Sequence, residues 1–101
     1  MRMMLRATME TEAANRAIRD GSLMKLMQNL HARLKPEACY YGTACGKRSV
    51  MVFFECEESS SFIVEIAEPL FMGLNASIEL QPVMNDADLQ RGFEAWHKTV
   101  A

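Results

Sequence analysis

Cysteine, histidine, tyrosine and paired charges are the residues through which this chain could do chemistry. There are three cysteines, Cys39, Cys45 and Cys56, with no CxxC spacing between them. Zinc and iron–sulfur sites need thiolates or imidazoles in close sequence pairs, so neither is expected. An odd count leaves one thiol unpaired in any disulfide scheme, which suits a reducing compartment and points to the cytoplasm. Cys45 lies near Lys47 and Arg48, whose charge favours thiolate. No base or positioned acid accompanies it, so a plain exposed thiol is the simpler reading. Cys39 and Cys56 read as core or sheet residues.

Histidine serves as acid, base or ligand near neutral pH. His31 follows Met27 by four residues, which sets it at the edge of an apolar helix face, as a site residue or a half-buried boundary residue. His97 follows Trp96 near the end of the chain, where a solvated position at a helix C-terminus suits its charge. Tyr40 and Tyr41 are consecutive and fall on opposite sides of a strand, one to pack and one to line a cavity. Nine methionines are many for 101 residues. Met fills irregular apolar space, and Met3 and Met4 face opposite ways on a strand, which does not assemble a copper site. Neither metal nor cofactor is expected.

The elements that position these groups follow from periodicity. Met3, Leu5, Ala7 and Met9 alternate with Met4, Arg6 and Thr8, predicting a strand over 3–9. A helical pattern runs from Glu10 to Lys35 through Ala14, Ala17, Ile18, Met24, Met27, Leu30 and Leu34. Asp20-Gly21-Ser22 predicts a kink or restart within it, and Pro36 its end. Strands at 38–43 and 49–57 flank a turn at Ala44-Cys45-Gly46-Lys47, forming a hairpin in which Gly46 takes positive φ. The second of these strands is apolar on both faces: Val50, Val52, Phe54 and Cys56 on one, Met51 and Phe53 on the other. It belongs in the middle of a sheet, covered on both sides. Ser59-Ser60-Ser61 offers N-caps for a short helix that Pro69 is expected to break, with a kink at Glu68-Pro69 and a second turn, begun by the proline, through Leu74. Ile78 and Leu80 mark a last strand, and Asn85 with Asp88 forms a capping box ahead of a helix with an apolar Leu89, Phe93 and Trp96 stripe.

The order β-α-β-β-α-β, with a further C-terminal helix, is the α+β ferredoxin-like arrangement of a four-stranded antiparallel sheet. Residues 1–101 make one domain. Two helices cover one sheet face, and Met4, Met51 and Phe53 on the other invite a second copy. With strands one, three and four aligned, Arg6, Glu55 and Glu79 gather on that second face, joined by Tyr40, Thr8 and Gln81. A cation between two carboxylates there is either a polar ligand site or an ion-pair network at an interface or rim.

Bulk composition excludes other classes. Half of the residues are apolar, a quarter are charged and the net charge is −2, with no basic stripe for nucleic acid. Charge interrupts the first six residues before a signal-peptide core can form, and no stretch approaches a membrane span. No repeat, linker or low-complexity tract occurs.

Five segments carry a family resemblance: Lys35-Pro36-Glu37-Ala38 leading into Tyr40-Tyr41-Gly42, then Gly46-Lys47-Arg48, Glu68-Pro69-Leu70-Phe71 and Leu80-Gln81-Pro82-Val83-Met84. Through them the chain resembles the dimeric α+β barrel superfamily and, more narrowly, a group of small uncharacterised bacterial proteins. The superfamily includes cofactor-free monooxygenases, isomerases, haem enzymes and stress proteins. The resemblance implies the fold and a homodimer, and leaves three classes of function open. One is a non-enzymatic or regulatory dimer that binds a small apolar organic molecule. Another is a cofactor-independent enzyme, monooxygenase- or isomerase-like, with Arg6, His31 or Tyr40 as polar handles. The third is a structural interaction module.

Overall fold

The computed structural model describes residues 1–100. The elements are β1 (Arg2–Thr8), α1 (Thr11–Asp20), α2 (Ser22–Leu34), β2 (Ala38–Ala44), β3 (Lys47–Glu55), α3 (Phe62–Leu74), β4 (Ser77–Pro82) and α4 (Asp86–Val100). The strands form one antiparallel sheet in the order β2-β3-β1-β4. This is the ferredoxin-like arrangement, with the doubly apolar strand β3 inside the sheet as its composition predicts.

The expected restart at Asp20-Gly21-Ser22 divides the first helical stretch in two. Gly21 takes φ 82°, and the Asp20 carboxylate accepts a bond from the Ser22 amide at 2.9 Å. The start of α1 is capped by Glu10, whose carboxylate accepts from the amides of Glu12 and Ala13 at 3.1 and 2.7 Å. Those bonds, Ala13's the stronger influence, hold the Glu10 carboxyl below its ordinary range. In the β2–β3 hairpin, Cys45 and Gly46 both take positive φ, a turn whose twist matches that of the flanking strands.

Pro69 lies inside α3 and does not end it. The helix ends at Leu74 as expected, but it is one continuous helix and not two segments divided at Glu68-Pro69. A proline removes one helical hydrogen bond, but the buried residues of α3 lie on both sides of it: Ile66 and Ala67 before, Leu70 and Leu74 after. Their packing holds the helix together across the gap. The serines do not cap α3 through their side chains. Instead the carbonyl of Ser59 accepts from the Phe62 amide at 3.1 Å.

The core lies between the sheet and α1–α3. Leu5, Val50, Val52, Phe54, Leu70 and Leu74 are its largest fully buried side chains, each contributing about 1.5–3 kcal/mol by burial. Phe54 and Phe62 meet edge to face, with centroids 6.3 Å apart. At Gly73 the neighbouring α2 comes so close that a β-carbon there would stand 2.9 Å from a Leu26 methyl.

α4 departs from this layered body. The predicted capping box forms reciprocally: the Asn85 amide donates to Asp88 at 3.1 Å, and the Asp88 amide to Asn85 at 2.8 Å. Arg2 then ties Asp88 to the sheet at 2.8 Å. Beyond that anchor the helix stands free, and Leu89, Phe93, Trp96 and Val100 are exposed. The radius of gyration is 16.2 Å, against roughly 13 Å for a compact domain of this length. Among the described residues no helix is long and apolar enough to cross a membrane.

Candidate functional site

The sequence places its candidate residues on two faces, and the structure keeps them apart. On the open face, Met4, Arg6, Tyr40, Met51, Phe53, Glu79 and Gln81 share one side of the sheet by register. Arg6 bonds Glu79 at 3.3 Å, and its other nitrogen reaches the Met51 sulfur at 3.7 Å. Glu55 does not join them. The β1–β3 register sets Arg2, not Arg6, opposite Glu55, four residues away and therefore roughly 13 Å along the strand. Glu55 instead meets the Met1 amino group at 3.3 Å and Arg2 at 3.9 Å. The expected cation between two carboxylates is thus not assembled around Arg6.

Arg2 is where acids do converge, a residue that the sequence reading passed over. It bonds Glu37 and Asp88, each at 2.8 Å. Glu37 above all, then Asp88 and Glu55, holds its guanidinium pKa above the ordinary arginine value. With its donors so occupied, Arg2 fastens α4 to the end of the central strand pair β1–β3 and to the segment leading into β2; nothing in its local sequence marked it.

His31 belongs to the helix-covered face. It lies one turn after buried Met27 on α2, and its Nε2 stands 3.2 Å from the Cys39 Sγ. Both residues are half-buried. α2 and the edge strand β2 run antiparallel to each other, so Met27 falls beside Tyr41 and His31 beside Cys39. Tyr41 is two residues beyond Cys39 and on the same side of β2. Partial desolvation against the groove wall raises the Tyr41 phenol above its ordinary value, with the Cys39 side chain adding to that shift. Both tyrosines are exposed, Tyr41 (59 %) at the groove and Tyr40 (65 %) on the open face, so neither packs in the core.

The gap between α2 and β2 is a groove of about 340 Å³, lined by Met9, Leu23, Met24, Met27, Tyr41, Gly42, Arg48 and Ser49. Its walls are mostly apolar. Arg48 is one of its polar side chains, held by Asn15 at 2.9 Å; the His31–Cys39 pair lies outside the lining, one helical turn past Met27. Met24, expected to pack in the helical stripe, is instead exposed at the rim. A larger crevice of about 430 Å³ separates α2 from α3. Its charged residues, Arg33 and Glu65, bond each other, and Arg33 also makes a two-pronged contact with Glu58 at 2.8 and 2.9 Å. Its charged groups are spent on each other, whereas the α2–β2 groove is more apolar and borders the His31–Cys39 pair, so that groove is the better candidate.

Two other groups stand outside both places. Cys45 is exposed at the hairpin tip. His97 is exposed on α4, its ring 5.2 Å from that of Trp96. Among the described residues no three of His, Cys, Asp and Glu come together to hold a metal ion.

What the groove can do follows from its parts. A thiol touching an imidazole can lose its proton to it, a phenol can donate to a carbonyl, and apolar walls take up a hydrocarbon or an aromatic ring. No protein-family model and no curated protein matches the chain.

Proposed function

We propose that this protein is a homodimer of the dimeric α+β barrel type that binds a small, largely apolar organic molecule in the groove between α2 and β2, in a regulatory rather than catalytic role. The observation that carries the reading is the groove itself: apolar walls of Met9, Leu23, Met24 and Met27, with Tyr41, Arg48 and Ser49 as its polar side chains. Ligand sites commonly combine a mainly apolar lining with a few placed polar groups, at volumes of about 300–1,000 Å³.

Self-association is supported by the opposite face. Met51 and Phe53 are half-buried there without a helix above them, and exposed Tyr40 flanks them. A two-fold axis through that face would bring the patch onto itself, the isologous contact of most homodimers. The free apolar stripe of α4 adds surface that a second copy would cover.

The His31–Cys39 contact favours a second reading, a cofactor-independent enzyme in which the same groove holds the substrate. Native mass spectrometry of freshly purified protein tests the primary reading. The expected result is a dimer carrying a small-molecule adduct that leaves on gentle activation. A clean monomer would overturn the dimer. Failure of any apolar small molecule to shift the Met24 and Met27 methyl resonances would overturn the groove.

A further inference from the structure

Beside Tyr41, which lines the groove, and just outside its lining, lie the parts that one bimolecular reaction needs. Cys39 offers a nucleophilic sulfur with an imidazole nitrogen 3.2 Å away. Tyr41, next on the same side of β2, lines the groove and offers a phenolic donor. Met24 and Met27 wall the groove beyond it, and methionine sulfur packs well on aromatic rings. No oxyanion hole or second acid is needed when a thiol adds to an activated double bond, because a single donor to the carbonyl steadies the enolate that forms.

We propose that Cys39 captures an α,β-unsaturated ketone or aldehyde bearing an apolar group, with His31 carrying the proton and Tyr41 bonding the carbonyl oxygen. This deepens, and rests on, the reading of the groove as a small-molecule site. The thiol proton passes to His31 Nε2, and the sulfur forms a bond to the β-carbon as the carbon–carbon π bond opens. The resulting enolate, its oxygen bonded to Tyr41, takes the proton back from His31 at the α-carbon. No electron leaves or enters the pair of reactants, and the product is a thioether. The Tyr41 phenol, protonated at neutral pH like any tyrosine, is the donor. The apolar walls select for a substituent that the exposed thiol of Cys45 has no means to hold.

The test exploits three thiols in one chain. Full-length protein is exposed to phenyl vinyl ketone, and the adducts on Cys39, Cys45 and Cys56 are timed by peptide mapping after borohydride reduction. Cys39 is expected to react about tenfold or more faster than Cys45, the gain typical of a positioned base. His31→Ala should bring Cys39 down to the Cys45 rate without altering Cys45 itself, and His31→Gln should do the same. Tyr41→Phe should slow the ketone but not iodoacetamide, which forms no enolate. Methyl vinyl ketone, without the ring, should lose most of the preference for Cys39. Preferential labelling of Cys45, or a Cys39 rate indifferent to both His31 variants, would overturn the proposal. Propiophenone, the saturated counterpart, is titrated into Cys39→Ser to separate the two claims. Shifts at the Met24 and Met27 methyls without selective Cys39 labelling would leave the groove standing and remove the capture. Absent shifts would remove the groove and the capture with it.

Discussion

Phe53 and Phe54 are neighbours on β3 and point to opposite sides of the same sheet. Phe54 is 1 % exposed and meets Phe62 from α3; Phe53 is half-buried and faces Met4 across the strand pair. The helix-covered face is finished by the chain's own elements, down to alanines that let α1 lie close and a glycine that admits Leu26 against α3. The open face mixes the same kind of apolar residue with charges, Arg6 and Glu79, that are satisfied at its margin. One side is a core. The other mixes apolar and charged side chains with no helix laid over Met51 and Phe53, and the difference teaches that alternation in a strand reports two unlike faces without reporting what, if anything, covers each.

Four measurements would break or sharpen that contrast. Phe54→Ala is expected to cost about 3–5 kcal/mol of unfolding free energy, and Phe53→Ala, measured at low protein concentration, about 1 kcal/mol. Urea titrations giving equal losses would erase the distinction between the faces. Phe53→Glu should leave the circular dichroism of the fold intact while raising the dimer dissociation constant about a hundredfold, some 2–3 kcal/mol. An unchanged solution mass on ultracentrifugation would sink the interface. For Arg6 and Glu79, a double-mutant cycle should return under about 1 kcal/mol in the monomer, screened further by salt, because Glu79 is largely exposed. Coupling that grows and loses its salt dependence as protein concentration rises would show a second copy closing over the pair.

The smallest effect concerns pH and belongs to the covered side. Glu10, bonded to the amides of Ala13 and Glu12, has its pKa lowered on folding. A carboxyl shifted in that direction stabilises the fold above its unfolded pKa, and the benefit is lost as pH falls through the lower folded value. Glu10→Gln should therefore flatten the acid limb of the stability profile and leave the neutral-to-alkaline limb in shape. An acid limb unchanged by the substitution would remove Glu10 from the account.

Much of the fold was legible because it rests on local signals. The alternation of Met3, Leu5 and Ala7, the doubly apolar run at 50–54, the restart at Gly21 and the Asn85–Asp88 box each appear where their residues predict. Pro69 misled because its cost is local while the packing of Ile66 and Leu70 that offsets it is tertiary. The candidate sites were harder for the same reason. Glu55 shares a face with Arg6, yet its partner is fixed by register, and a register is a property of two strands that no single stretch of sequence displays. His31 was read on its own helix. Cys39 was read on its own strand, and their meeting depends on how α2 lies along the sheet edge.

The free helix has a consequence for how this protein would be watched in solution. α4 is 15 residues long, close to the length at which an isolated helix is marginal in water. Its first turn is stitched to Arg2, so the helix–coil boundary should travel inward from Val100 toward Asp88. Amide exchange would then rise steadily along α4 while the sheet beside it stays protected. Trp96, the one tryptophan, sits in the last third of that segment. Its emission would report the melting of α4 separately from the unfolding of the domain, and a dependence of that emission on dilution would turn one side chain into a gauge of assembly.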